Sequence, residues 1–180
     1  MTNRADTPAL RFWWHRDDLQ FIGHELHLAG HSLRQAAIAA GESAFFYNPE
    51  RVRAKLQQLH QALDRTQLPF RVFYAMKANR FAPLLTFIRQ TGLAGVDVCS
   101  PQEMLMALQC GFRQADISYT ATSVSNPDIE ILARHPQVLI NCDSLSTIRR
   151  LGQRCPGREI GLRINPALGI GYGNNQLLQY

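Results

Sequence analysis

Lysine is almost absent from this chain of 180 residues. Of its nineteen cationic side chains, seventeen are arginine and only Lys55 and Lys77 are lysine. An arginine can supply a positive charge, but it cannot condense with a carbonyl group, whereas a lysine amine can. Lys55 falls in RVRAKLQQLHQAL, a charged amphipathic segment that is typical of a solvent-exposed helix face. The scarcity therefore singles out Lys77 as the candidate for amine chemistry.

Other absences exclude whole classes of protein. The net charge is +5, but the basic residues are scattered among acids, so we expect no nucleic-acid partner. The four cysteines form no Cys-x-x-Cys pair, and His27 and His31 do not complete an HExxH motif, so we expect neither disulfides nor a metal. No run approaches the ~20 apolar residues that span a bilayer. Polar residues follow Met1 where a signal sequence would be apolar, so we expect a cytoplasmic chain outside membranes.

From about residue 44 onward, short apolar runs alternate with helical segments, a pattern typical of βα units around a parallel sheet. The predicted strands lie near Ala44–Tyr47, Arg71–Met76, Ala94–Val98, Asp116–Tyr119, Gln137–Asn141 and Glu159–Ile164. The predicted helices lie near Pro49–Arg65, Pro83–Thr91, Pro101–Cys110, Pro127–Arg134 and Ser144–Gly152.

Capping residues mark several of the predicted helix starts. Asn48, Ser100 and Asn126 each precede a proline, which at the first helical position loses no hydrogen bond through its missing N–H. Ser100 and Glu103 also fit a capping box, so we assign Glu103 to helix capping rather than to catalysis.

Residues 1–43 do not follow the βα rhythm. Within Phe12–Leu28, short β-like pieces are broken at Asp17-Asp18 and at Gly23, and a short helix is predicted from about Ser32 to Ala40. We therefore divide the chain into an amino-terminal arm, residues 1–43, and an α/β unit, residues 44–180. A TIM-type (β/α)8 barrel takes about 250 residues. The sequence predicts an incomplete barrel with about six of its eight strands, unless the sheet is open and doubly wound.

Three residues with reactive or charged side chains follow or interrupt the predicted strands. Lys77 ends an apolar strand, Asp97 lies in the next one, and Arg163 lies in an apolar run that has no structural use for a cation. Active sites of parallel α/β folds are built at the carboxyl ends of the strands. We therefore expect these three side chains to meet on one face.

Five segments, in order between about Ser43 and Pro166, carry a family resemblance: YAMKAN, GVDVCSPQE, MALQCGF, VLINCDS and GLRINP. They resemble the ornithine/diaminopimelate/arginine decarboxylases, which have an alanine-racemase-type barrel. LQFIGHELHLAG also looks like the start of the diaminopimelate decarboxylases, in which this arm joins a carboxy-terminal β-domain.

The resemblance implies pyridoxal 5′-phosphate as the cofactor, bonded through Lys77. Asp97 matches the family aspartate that lies near this lysine and the cofactor. Arg163 matches the arginine beside the cofactor ring, and Ala75, next to Lys77 on the inward face, is expected to touch the ring. The implied reaction is decarboxylation of a basic or diamino acid, with diaminopimelate as the first candidate and ornithine, arginine and lysine behind it. Full-length relatives are homodimers.

Two departures leave the substrate open. The Gly-Gly that follows the family serine is Pro101-Gln102 here, and Ala121–Asn126 lacks the usual asparagine and lysine. The family's phosphate loop, pyridine-nitrogen acid and specificity segment would lie beyond Tyr180, so we expect residues 1–180 alone to be inactive. A racemase of the same barrel and a non-catalytic cofactor-binding relative remain as alternatives.

Overall fold

The computed structural model describes residues 16–41 and 43–166. The chain divides into two compact units, residues 1–51 and residues 52–180. The part of the predicted arm that precedes residue 16 lies outside the described residues.

The amino-terminal unit contains a three-stranded antiparallel sheet in the order β1-β2-β3. Its elements are β1 (Leu19–Ile22), β2 (Glu25–Leu28), β3 (His31–Ser32) and helix α1 (Leu33–Ala40). Helix α1 begins where the Ser32 hydroxyl accepts the backbone N–H of Gln35. It ends at Gly41, whose φ of 75° is the left-handed conformation that glycine adopts easily. The helix predicted in this region is confirmed.

The second sheet has five parallel strands in the order β4-β5-β6-β7-β8. Its strands are β4 (Phe73–Ala75), β5 (Gly95–Val98), β6 (Ile117–Thr120), β7 (Leu139–Cys142) and β8 (Gly161–Leu162). The helices are α2 (Pro49–Asp64), α3 (Ala82–Thr91), α4 (Pro101–Gln109), α5 (Asn126–Ala133) and α6 (Leu145–Arg154). A helix follows each of the first four strands, which is the predicted α/β repeat.

The two faces of this parallel sheet differ in character because side chains alternate along each strand. The outer face, which packs on the helices, carries the buried side chains of Val96, Val98, Ile117, Tyr119, Ile140 and Cys142. The opposite, inner face carries Ala75, Asp97, Ser118, Thr120, Asn141 and Gly161, as the strand register requires. Burial of each large apolar side chain contributes roughly 1.5–3 kcal/mol. The hydrophobic core therefore lies on the outer side.

Strand boundaries differ from the prediction by one or two residues at several strands, and three of the differences concern the arm or the site. Residues 43–48 form no strand, although AFFY is apolar, because no neighbouring strand among the described residues offers them hydrogen bonds. Strand β4 stops at Ala75, and Lys77 lies in a 3-10 turn, Met76–Ala78. Strand β8 ends at Leu162, so the prediction that Arg163 lies inside a strand is wrong. Pairing partners, which local sequence does not reveal, set these limits.

Two helix caps also differ from the prediction. Helix α5 is capped by Ser125 rather than Asn126, and Ser125 forms a full capping box with Asp128. Ser100 caps α4 as predicted, since its hydroxyl accepts the Glu103 N–H. The Glu103 carboxylate, however, accepts the N–H of Cys99 instead of that of Ser100, so the second half of the predicted box does not form.

Candidate active site

Lys77 stands on a short turn at the carboxyl end of β4. The preceding residue, Met76, is fully buried in the core, whereas Lys77 is exposed. The turn closes where the Asn79 N–H donates to the Met76 carbonyl at 3.2 Å, and the Asn79 side chain accepts the Phe81 N–H at 2.9 Å. The buried Met76 and these two hydrogen bonds thus hold the backbone of the turn in place, while the amine of Lys77 remains accessible.

Asp97 lies on the neighbouring strand and faces inward. In the parallel register it is opposite Ala75, two residues before Lys77. Its Oδ1 accepts hydrogen bonds from the hydroxyls of Ser118, at 2.9 Å, and Thr120, at 2.8 Å, both from the next strand, β6. Two donors on one oxygen fix the orientation of the carboxylate.

A third strand extends this network. The side-chain amide nitrogen of Asn141, on β7, donates to the same two hydroxyl oxygens, at 3.0 Å to Ser118 and 2.8 Å to Thr120. The Asn141 side chain lies over Gly161 of β8, where a Cβ would collide with its Oδ1. We call Asp97, Ser118, Thr120 and Asn141 the inner-face network.

A second polar cluster follows the end of β5. The nearly fully buried Glu103 accepts hydrogen bonds from the Cys99 backbone N–H at 2.8 Å, from its thiol at 3.2 Å and from the Arg80 guanidinium at 2.6 Å. Burial raises the pKa of Glu103, but these donors outweigh it and the net pKa falls below the ordinary value. Desolvation and the bond to Glu103 raise the pKa of the Cys99 thiol, against the opposing charges of Arg80 and Lys77. Cys99 therefore stays a protonated donor near Lys77 and is a poor nucleophile.

The described residues place Lys77 just after β4 and Asp97 on the adjacent strand β5, but they place Arg163 elsewhere. Arg163 follows β8, at the opposite edge of the sheet from β4, and its backbone N–H donates to the Cys142 carbonyl at 2.8 Å. Within residues 43–166, neither the Lys77 amine nor the Arg163 guanidinium makes a hydrogen bond or salt bridge, and both side chains are exposed. Both are therefore available to a ligand.

Ser118, Thr120 and Asn141 are not among the site residues predicted from the sequence. A signal for them exists, since Ser118 and Thr120 alternate with apolar residues in ISYT, and Asn141 lies between apolar residues in LINC. That alternation assigns them to the face opposite the core. It does not reveal that they converge on one carboxylate, which depends on the register between strands.

The described part of the chain holds no group of three or more metal-ligating side chains, and all four cysteines are free. Among the same residues, no helix combines the length and the apolar character needed to cross a membrane.

Comparisons with known proteins identify the class of protein. Residues 50–176 match the family described as pyridoxal-dependent decarboxylase, pyridoxal binding domain. The chain belongs to this family, and its cofactor is pyridoxal phosphate, as the sequence predicts. The site fits that cofactor, since an accessible lysine amine follows a strand, and the small residue Ala75 leaves room on the inner face.

Particular relatives extend this result. The chain is 32% identical over 151 residues to a diaminopimelate decarboxylase of Methanothermobacter thermautotrophicus. The match covers 83% of this chain and 35% of that protein. The crystal structure of diaminopimelate decarboxylase from M. jannaschii superposes with a TM-score of 0.78 at 19% identity, covering 85% of this chain and 37% of that one. For lysine decarboxylase from Selenomonas ruminantium the TM-score is 0.52 at 26% identity, covering 64% and 31%. The chain thus spans about a third of the length of these relatives.

Proposed function

We propose that the intact protein decarboxylates a diamino or basic amino acid, with diaminopimelate as the first candidate substrate. The observation that carries the proposal is the position of Lys77. Its exposed amine stands at the carboxyl end of β4, beside the strand that carries Asp97, in a domain of the pyridoxal-binding family. A lysine amine in that place can bond the cofactor aldehyde.

Each predicted site residue has a role in this proposal. Lys77 would hold the cofactor through its exposed amine. Asp97 presents its carboxylate beside Lys77, Ala75 leaves space for the cofactor ring, and Arg163 supplies a positive charge from the far edge of the sheet. When bound, pyridoxal phosphate supplies the electron sink that accepts the electron pair left behind as the substrate carboxylate leaves as carbon dioxide.

The choice of substrate rests on the relatives. Curated relatives carry the name diaminopimelate decarboxylase, and one solved structural neighbour is a lysine decarboxylase. Substrates of this kind carry a second amine or amino-acid group far from the carboxylate that leaves. We also propose that the intact protein forms a homodimer, as the family resemblance implies.

The test is carbon dioxide release by the intact gene product from diaminopimelate, lysine, ornithine and arginine. We expect turnover with one of them, and we expect Lys77→Ala to abolish it. Lys55→Ala is the matched control, because the Lys55 amine is exposed on α2 and, among residues 16–41 and 43–166, bonds only Gln58, at 3.0 Å. Turnover in Lys77→Ala at the wild-type rate, or turnover with none of the four amino acids, would contradict the proposal.

A further inference from the structure

The hydrogen bonds of the inner-face network run in one direction. The Asn141 amide nitrogen carries two hydrogens and accepts none, so it must donate to both the Ser118 and the Thr120 oxygens. Each hydroxyl has one hydrogen of its own, and both are directed at Asp97 Oδ1. The order is therefore amide, then hydroxyls, then carboxylate.

The sheet register fixes the positions of these groups. Asp97 is opposite Ser118, and Thr120 is opposite Asn141, so three neighbouring parallel strands hold the four side chains in adjacent rows. Gly161 completes the arrangement, because any larger residue there would displace the Asn141 amide. Backbone hydrogen bonds, rather than flexible loops, thus hold the donors.

The network is not explained by stability alone. The interior of a β/α barrel is usually filled by branched apolar side chains, and a polar network there stabilises the fold only when every member is satisfied. Here both hydroxyls serve the same carboxylate oxygen. The other oxygen of Asp97, Oδ2, has no hydrogen-bond partner within residues 43–166. The network thus holds one oxygen and leaves the second one free.

We propose that Asn141, acting through Ser118 and Thr120, is a positioning residue that aims the free oxygen of Asp97 at the cofactor site beside Lys77. The inference rests on the proposed function of Lys77. Asn141 itself does not touch the cofactor in this proposal. Its substitution therefore alters cofactor binding only through Asp97.

The test is a double-mutant cycle read out as the dissociation constant of pyridoxal 5′-phosphate, measured by titrating the cofactor-free intact protein and following its visible absorbance. Asn141→Ala removes the two hydrogen-bond donors. Asn141→Asp keeps the side-chain shape but replaces the donating amide nitrogen with an accepting oxygen. We expect either change to weaken binding about tenfold. In the Asp97→Asn background, Asn141→Ala should add less than about a twofold further loss.

A pair of Thr120 variants and one control variant keep the test independent of folding defects. Thr120→Val keeps the shape without the hydroxyl and should bind more weakly, whereas Thr120→Ser keeps the hydroxyl and should lose less binding than Thr120→Val. Asn126→Ala changes an exposed asparagine at the start of α5 and should leave binding unchanged.

The outcomes separate the two proposals. If wild type gives no cofactor absorbance, the proposed function fails and this inference fails with it. If wild type binds the cofactor, and Asn141→Ala and Asn141→Asp bind it as tightly as wild type does, only the positioning role is wrong. An undiminished effect of Asn141→Ala in the Asp97→Asn background also overturns it, because Asn141 would then act without Asp97.

Discussion

Val96 and Asp97 are neighbours in β5, yet their side chains lie on opposite faces of the sheet, one apolar and one polar. Val96 is completely buried against the helices, whereas Asp97 lies in the inner-face network. On β6, Tyr119 and Thr120 repeat the contrast, and burial raises the pKa of Tyr119 to about 12. The outer face therefore behaves as a dry core, and the inner face presents hydrogen-bonding groups. A shift of one residue in register would exchange the two environments.

The largest effect is expected from exchanging these environments. Val96→Asp buries a carboxylate among apolar side chains and should cost at least about 4 kcal/mol, which is comparable with the whole stability of many domains. Asp97→Asn keeps the shape and one acceptor oxygen and should cost less than about 1 kcal/mol. Urea unfolding followed by circular dichroism measures both. Equal losses would mean that the two faces do not differ as described.

Alanine substitutions at two glycines test how closely other atoms approach the backbone at the start of β5 and in helix α6. Alanine at Gly95 would place its Cβ against the backbone carbonyl of Asp116, which cannot move away, so we expect a loss of about 2 kcal/mol or more. Gly152 lies inside helix α6 with open space around it, and Gly152→Ala should stabilise the protein by about 0.5–1 kcal/mol. Thermal unfolding of both variants gives the sign of each effect. A higher melting temperature for Gly95→Ala than for wild type would show that its Cβ does not collide with the Asp116 carbonyl.

The cluster around Glu103 should show a pH-dependent effect. The net pKa of Glu103 lies below its ordinary value of 4.5, so its contribution to stability is present above that pH and is lost as the pH falls through the folded-state pKa. We expect Glu103→Gln to cost about 2 kcal/mol near neutral pH, since it loses charge-assisted hydrogen bonds. The difference from wild type should shrink below about pH 4.5.

Urea unfolding at a series of pH values measures this difference. Glu159→Gln is the matched control, because Glu159 is exposed and its substitution should change the stability little. A difference between Glu103→Gln and wild type that stays constant down to pH 3 would contradict the assigned role.

The smallest effect concerns a helix on the outer side. Ser125→Ala removes the hydroxyl that caps α5 and should lower the free energy of unfolding by about 1 kcal/mol. Ser146→Ala, at an exposed position of α6, should leave it unchanged. Denaturation curves that coincide for the two variants would show that the capping box contributes nothing.

Sequence patterns predict the outer face better than the inner one. Apolar alternation locates all five strands of the parallel sheet, and the residue before each helix identifies Ser100 as a cap. Pairing is a property of distant segments, so the pattern at Ala44–Tyr47 predicts a strand that does not form within the described residues. The strand limits at Ala75 and Leu162 differ from the prediction for the same reason.

The site divides in the same way. The scarcity of lysine and the YAMKAN segment single out Lys77, and the order of motifs predicts a family that the comparison confirms. Asn141 cannot be found in this manner, because its importance comes from two hydroxyls on β6 that local sequence does not connect to it. The roles of Lys77, Asp97, Arg163 and Ala75 toward the cofactor remain predictions.

The most direct test of the account is to reduce the complex of the intact protein and pyridoxal 5′-phosphate with borohydride and to locate the label by peptide mass analysis. Two lysines of this chain can compete, Lys77 at the end of β4 and Lys55 on the exposed surface of α2. The account predicts a stoichiometric label on Lys77 and none on Lys55. A label on Lys55, on a lysine outside this chain, or on no residue would contradict it.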